Sequence, residues 1–103
     1  GEAVIGAVMA GIVMFTRTLA MEGKRDGIRA NALTPSIVEG TRTHDRVMAP
    51  GFSGKLFEKA KKAARLGVVR PDDVAPMIVF MTSPAAARMT GQAISINGGI
   101  SAG

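Results

Sequence analysis

Tyrosine, tryptophan and cysteine are all absent from the 103 residues, and histidine occurs only once, as His44. Without cysteine the chain can form neither a disulfide scaffold nor a thiolate metal site. One histidine leaves too few nitrogen ligands for a zinc or iron site built from this chain alone. Without tyrosine, no phenol of this chain can carry a proton in a reaction.

The remaining composition is that of a globular protein. Hydrophobic residues make up 47% of the chain and charged residues 20%, which excludes a disordered chain. A length of 103 residues leaves room for one small domain and not for two.

Positive charge is concentrated in the middle of the chain. The net charge is +5, but the span from Arg42 to Arg70 holds eight basic and two acidic residues and so carries +6. Such a span attracts anions. A nucleic-acid-binding domain would add a stacking platform or a known motif, and the span's only aromatic residues are Phe52 and Phe57. We therefore expect a solvated helix face or the rim of an anionic-ligand site, and no nucleic acid.

Thirteen apolar or glycine residues run from Ala3 to Phe15. This run is shorter than the roughly 20 residues of a membrane-spanning helix, and no basic segment typical of a signal peptide precedes it. It predicts a helix buried on nearly all sides, no membrane and a cytoplasmic location.

Periodicity and breakers predict three helices and two strands. The predicted helices are Ala3 to about Glu22 with Gly23 as C-cap, Phe52 to Leu66 closed by Gly67, and Pro71 to about Thr82 ended by Ser83-Pro84. The predicted strands are Ile28–Leu33, ended by Thr34-Pro35-Ser36, and Gln92–Ile96. The segment Ile37–Gly54 is predicted as loop. Two strands separated by helices predict a parallel βαβ unit. Two strands are too few for an independently stable sheet, so we expect these residues to be part of something larger.

Two segments resemble one enzyme family, the short-chain dehydrogenase/reductases. Phe15–Pro35, reading FTRTLAMEGKRDGIRANALTP, is similar to that family's active-site helix and sixth strand, and Ala64–Gly99 carries its R-x-G…P-x-D-V-A and T-G-Q…N-G-G patterns. The resemblance implies an α/β fold, namely the last two strands and three helices of a Rossmann-type doubly wound sheet. Residues 1–103 would then be a single partial domain. The Gly-rich turn of the N-terminal, cofactor-binding half does not occur in this sequence.

The resemblance also locates a departure from the family's catalytic pair. The family has Tyr-x-x-x-Lys in its active-site helix, where the phenol exchanges a proton and the lysine lowers the phenol pKa. Counting back from Phe15 places Ile5 at the tyrosine position and Met9 at the lysine position. The sequence therefore predicts no catalytic residue in this chain.

The family's P-G-x-V-x-T segment, which closes over the nicotinamide, is altered as well. Here Pro35 and Val38 match, and Thr41 lies one place late. The resemblance implies only vestigial cofactor contacts at these three residues. We expect no cofactor to be bound by this chain alone, and NAD or NADP only if a partner completes the site.

The basic span and the segment before it suggest ligand contacts. Lys55, Lys59 and Lys62 follow a helical spacing and are expected on one face, together with Lys61 and Arg65 as contacts for the phosphates of a CoA-type ligand or for a carrier protein. His44 and Asp45 lie where the family has its substrate lid. They are either a substituted general base or substrate hydrogen bond, or an exposed loop pair, and we expect the exposed pair.

Three functions fit these observations. The first is an oxidoreductase chain related to NAD(P)-dependent alcohol and ketone dehydrogenases, catalytically incomplete and acting as a non-catalytic or partner-dependent subunit. The second is a non-enzymatic interaction or oligomerisation module. The third is an active enzyme whose other half is supplied by a separate chain. Each predicts a homo-oligomer or a partner chain of the same family, since an open strand edge and an apolar helix both need cover.

Overall fold

The computed structural model describes residues 3–102 and has the predicted α/β architecture. The helices are α1 (Ala3–Gly23), α2 (Arg42–Val47), α3 (Phe52–Ala63) and α4 (Pro71–Thr82), the strands are β1 (Ala32–Pro35) and β2 (Ala93–Ile96), and short 3-10 turns cover Lys24–Asp26 and Pro84–Ala86. β1 and β2 pair in parallel, with Ala32 opposite Ala93 and Pro35 opposite Ile96. The parallel βαβ unit is confirmed. The described residues contain four α-helices instead of the three predicted.

The first strand lies further along the chain than predicted. It begins at Ala32 and includes Thr34 and Pro35, so the prediction of Ile28–Leu33 was wrong at both ends. The residues just before Ala32 bond to the loop that precedes β2: the Ala30 N–H donates to Thr90 Oγ1 at 3.1 Å and the Gly91 N–H donates to the Ala30 carbonyl at 2.7 Å. Before Ala32, these hydrogen bonds take the place of the regular hydrogen bonds between paired strands. A proline fits inside β1 because the strand is an edge strand.

Helix α1 has the predicted extent but not the predicted burial. Only Ala20 and Gly23 are buried, and large side chains along its whole length, such as Phe15 at 66%, are exposed. The elements that α1 contacts most extensively are the Lys24–Asp26 turn and β1. The left-handed glycine that caps the C-terminal end is Gly27, at φ 72°, whereas Gly23 has helical angles.

The projecting α1 makes the molecule long. Its radius of gyration is 15.4 Å, against about 13 Å for a compact chain of this size. In length and apolar composition, the segment Ala3–Asp26 would suffice to cross a membrane. A buried core helix passes the same test of length and composition, so the absence of a membrane stays a prediction.

Helix α2 lies inside the stretch predicted as loop. Thr41 caps it, because Thr41 Oγ1 accepts from the His44 backbone N–H at 3.1 Å, and a threonine three residues ahead of the bonded amide is a standard N-cap. The same hydroxyl donates to the Val38 carbonyl at 2.8 Å. The cap thus ties α2 to the segment that follows β1.

Helix α3 ends at Ala63, three residues before the predicted end at Leu66. The Leu66 N–H donates instead to the Gly98 carbonyl, at 3.0 Å, which draws the chain out of the helix toward the turn after β2. Helix α4 has the predicted start, where Asp73 Oδ2 accepts from the Arg70 backbone N–H at 2.8 Å.

The buried core is small, and its apolar side chains come from the end of α1, the segment after β1 and the chain around the two ends of α4. Its apolar members are Ala20, Ile37, Val69, Met81 and Ala86, joined by the buried amide of Asn97. Val38 and Val69 form a parallel bridge, and the Glu39 N–H donates to the Val69 carbonyl at 2.8 Å. The bridge fixes the 35–41 segment against the start of α4, and this arrangement shapes the site described next.

Candidate functional site

A cleft of about 690 Å³ opens between the 35–41 segment, α2, α3 and α4. Its walls are mostly apolar. The lining residues are Ile5, Pro35, Ser36, Ile37, Val38, Thr41, Thr43, His44, Val47, Phe57, Pro71, Val74, Ala75 and Ile78. Among them His44 is the only titratable side chain. A cleft of this size and lining suits a small, largely apolar organic ligand.

Three of the residues singled out from the sequence meet in this cleft. Pro35, Val38 and Thr41 line one side, and Ile5 of α1 lines it as well. Met9, one turn further along α1, is not part of the lining and is 54% exposed. Ile5, predicted from the sequence at the family's tyrosine position, therefore lines the cleft with a hydrocarbon side chain, which can neither give nor take a proton.

The polar groups of the 35–41 segment are largely occupied within the chain. The Val38 carbonyl accepts from Thr41 and keeps one lone pair free. Thr41 Oγ1 is both this donor and the cap of α2. A carboxamide could still bond to Val38. The 103 residues hold no Gly-rich turn between a strand and a helix for a pyrophosphate, so they do not fit a whole NAD(P) molecule.

Glu39 lies in the same segment and is neutralised by two cations. Its Oε1 is 3.3 Å from Lys61 Nζ of α3, and its Oε2 is 3.3 Å from an Arg70 guanidinium nitrogen. The hydrogen bond and the positive charge of Lys61 hold the pKa of Glu39 below its ordinary value, and Arg70 adds to the effect. Lys61, predicted as an anion contact, is therefore used to hold Glu39.

His44 is not the exposed loop residue that the sequence predicted. Its side chain is 13% exposed, whereas that of Asp45 is 77% exposed. His44 Nδ1 lies 3.3 Å from Asp45 Oδ1. His44 Nε2 is buried and has no hydrogen-bond partner among residues 3–102. The sequence missed this burial because α2, which carries the ring inward, was itself predicted as loop.

The three lysines of the predicted anion rim lie together, away from the cleft. Lys55, Lys59 and Lys62 line a second groove of about 530 Å³ between α3 and the Met48–Gly51 connection. Glu58 lines the same groove. All three lysines are exposed. The three lysines therefore share one groove, and their role as an anion rim stays a prediction.

Sequence reasoning missed three cleft residues from the later helices. Phe57 of α3 and Val74 and Ile78 of α4 line the cleft. Val74 and Ile78 are four residues apart, which places them on one helix face. The sequence shows that spacing, but it does not show which other residues this helix face lies against.

Comparisons with known proteins agree on one family. The family model described as enoyl-(acyl carrier protein) reductase matches residues 1–101. A tropinone reductase homologue from Arabidopsis thaliana is 42% identical over 84 residues, covering 82% of this chain and 31% of that protein. An acetoacetyl-CoA reductase from Shinella zoogloeoides is 35% identical over 99 residues, covering 96% of this chain and 39% of that protein.

Solved structures show the same relationship. A short-chain dehydrogenase/reductase from Brucella melitensis superposes with a TM-score of 0.81 at 29% identity, over 99% of this chain and 39% of that one. A 4-hydroxyisoleucine dehydrogenase mutant complexed with NADH and succinate superposes with a TM-score of 0.74 at 26% identity, over 94% of this chain and 39% of that one. The chain thus spans between about three and four tenths of the length of these relatives. The superposition on the Brucella melitensis structure covers 99% of this chain and so includes α1.

Proposed function

The chain belongs to the short-chain dehydrogenase/reductase family of oxidoreductases, and on that premise we propose that these 103 residues form the C-terminal, substrate-side part of such a domain and transfer no hydride by themselves. The observation that carries the proposal is the position of Ile5 on the cleft wall, beside Pro35 and Val38. A proton donor would have to stand there. Loss of general acid–base help alone costs about 10²- to 10⁴-fold in rate.

The test is an activity assay with a binding control. The purified chain is mixed with NADH or NADPH and a panel of ketones, including acetoacetyl-CoA, and cofactor oxidation is followed. We expect no oxidation above that of buffer, and no saturable NADH binding by equilibrium dialysis. Turnover by the chain alone would refute catalytic incompleteness. Binding without turnover would refute only the claim that this chain holds no cofactor by itself.

The exposed helix α1 supports one form of this proposal, in which the chain acts as a partner-dependent subunit. Most apolar side chains of α1 are exposed in the described structure, although Ala20 is buried, and large exposed apolar surfaces mark association sites. We propose that a second copy, or another chain of the same family, covers α1 in the cytoplasm. If a partner chain brings a tyrosine, a lysine and a phosphate-binding turn, NAD or NADP would bind to the assembly.

Sedimentation velocity at micromolar concentration tests the covered helix. We expect a species heavier than a monomer, and a shift toward monomer when Val8 and Ile12, exposed on α1, are both changed to Asp. The control changes Glu22 and Asp26, also exposed, to neutral amides and should leave association intact. A folded monomer with a cooperative unfolding transition would refute the proposal.

The alternative function, an interaction module without enzymatic activity, rests on the same exposed helix. It predicts association without any effect on oxidoreduction. Mixing the chain with a partner of its family and measuring cofactor oxidation separates the two functions, because only a partner-dependent subunit raises the rate.

For the lysine groove we propose the phosphate groups of a CoA-type ligand as the bound anion. Support comes from the three lysines that line one groove and from a CoA ester in the name of one relative. Lys55, Lys59 and Lys62 are changed to Glu together, and acetoacetyl-CoA is titrated at low and high salt. Wild-type binding should weaken with salt, and the variant should bind less.

A matched control reverses three exposed basic residues elsewhere, Lys24, Arg25 and Arg88. This control changes the net charge by the same amount. Equal affinity of both variants, or no binding by the wild type, would show that the lysines serve only solubility.

A further inference from the structure

His44 carries a ring nitrogen that is unpaired within the described part of the chain, and this nitrogen can distinguish between ligands that the apolar walls of the cleft bind equally well. The ring is held in place by its own backbone, because the His44 N–H bonds to Thr41 Oγ1 at 3.1 Å and Thr41 is in turn bonded to Val38. His44 is therefore positioned by the same segment that forms one side of the cleft.

The proton on the imidazole is placed by Asp45. An ionised carboxylate can only accept hydrogen bonds, and Asp45 Oδ1 lies 3.3 Å from His44 Nδ1. In the neutral ring Nδ1 therefore carries the hydrogen, and Nε2 presents a lone pair. That lone pair is buried and has no partner within residues 3–102. A buried acceptor left unpaired is unfavourable, so a donor that reaches it from the cleft binds with an added gain.

We propose that His44 Nε2 is the acceptor by which the cleft selects ligands that carry a hydroxyl group over otherwise identical ligands that carry a carbonyl. Most of the remaining lining is apolar and treats the two alike, with Ile37, Phe57 and Val74 as examples. The lining hydroxyls, those of Ser36, Thr41 and Thr43, can donate to a carbonyl as well as accept from a hydroxyl. A carbonyl oxygen cannot donate, so it leaves Nε2 unpaired. The inference needs neither cofactor nor hydride transfer and goes beyond the function proposed above.

Nε2 has no exposed surface in the described structure, so pairing with a ligand requires the ring edge to shift toward the cleft when that ligand binds. The nitrogen is closed to water, but the side chain keeps 13% exposure and lines the cleft. A shift of the ring edge toward the cleft exchanges an unpaired buried acceptor for a paired one. A hydroxyl-bearing ligand therefore stabilises the shifted ring, and a ketone of the same shape does not.

The experiment compares cyclooctanol with cyclooctanone on the full chain, without cofactor. Binding is followed through the ring nitrogens of His44, which is the chain's only histidine, by long-range proton–nitrogen NMR. We expect the alcohol to bind about fivefold to tenfold more tightly than the ketone, which corresponds to one net hydrogen bond. We also expect the alcohol to move the Nε2 resonance more than the Nδ1 resonance.

Two variants make the test specific. In His44→Phe, followed through backbone amides, the apolar contacts remain and the ratio of the two affinities should fall to about one. In Asp45→Ala an exposed carboxylate is removed, so the fold should be kept while no acceptor remains to hold the proton on Nδ1. The ring can then donate through Nε2, so the ketone should gain affinity relative to the alcohol.

Three results would overturn the inference. These are equal affinity of the two ligands for the wild-type chain, a ratio unchanged in His44→Phe, and a resonance shift confined to Nδ1. Turnover in the activity assay described above would leave the inference standing. Loss of the selectivity would likewise leave the proposed catalytic incompleteness untouched.

Discussion

Replacing Gly98 by alanine should destabilise the chain more than any other glycine-to-alanine change in a turn. Gly98 has φ 67°, and an added Cβ would overlap the Gly67 carbonyl oxygen and lie 3.2 Å from Ala64 Cβ. The left-handed conformation costs an alanine about 1–2 kcal/mol. Displacing the Gly67 backbone adds about 1–3 kcal/mol, as overpacking does. The Leu66–Gly98 hydrogen bond is also strained. We expect a total loss of about 3–5 kcal/mol.

Gly27→Ala is the matched control. Gly27 has nearly the same φ, 72°, but an added Cβ would meet no atom within 4 Å. Its loss should be about 1 kcal/mol, since the stiffer unfolded chain offsets part of the conformational cost. Urea unfolding is followed by far-UV circular dichroism, because the chain has no tryptophan or tyrosine, at one protein concentration for all variants. Equal losses for the two variants would refute the close approach of Gly98 and Gly67.

Two further predictions concern the site and its support. The pKa of Glu39 lies below its ordinary value of 4.5 because Lys61 bonds to it. The stabilising effect of this carboxylate is therefore complete above that value and is lost as the pH falls through the lower folded-state pKa. Denaturant midpoints measured against pH should show a smaller loss of stability in acid for Glu39→Gln, and a pH profile equal to that of the wild type would refute the pairing. Arg29 donates to the carbonyls of Met89 and Met81 at 3.0 and 2.6 Å, so Arg29→Met should lower the free energy of unfolding by about 2 kcal/mol. The exposed Arg88 serves as control, and Arg88→Met should change that free energy little. Equal effects of the two substitutions would contradict a stabilising role of the Arg29 hydrogen bonds.

Elements with strong local signals were predictable from the sequence. The proline and aspartates at the start of α4 set its first turn, and the apolar run of α1 set its helical extent. Elements defined by distant partners were not. β1 begins at Ala32 because loop residues some 60 positions away take up the preceding hydrogen bonds, and no local pattern encodes that distance.

The residues of the site were likewise predictable where their signal is local and missed where it depends on distant parts of the chain. Pro35, Val38 and Thr41 were found because they form one short motif, and the structure places them on one cleft. The partners of Glu39 were not found, since Lys61 and Arg70 come from two other elements. The burial of His44 was missed because it depends on a six-residue helix whose only sequence signal is one capping threonine.

The long separation between β1 and β2 has a consequence during synthesis. Ala32 pairs with Ala93, so β1 is made well before any residue of the strand that pairs with it. At about 5–20 residues per second, the edge of β1 that pairs with β2 stays open for several seconds. An open strand edge is a template for pairing with other chains. Slower translation between the two strands should therefore raise the aggregated fraction of newly made chains, whereas a chaperone that holds extended apolar segments should lower it.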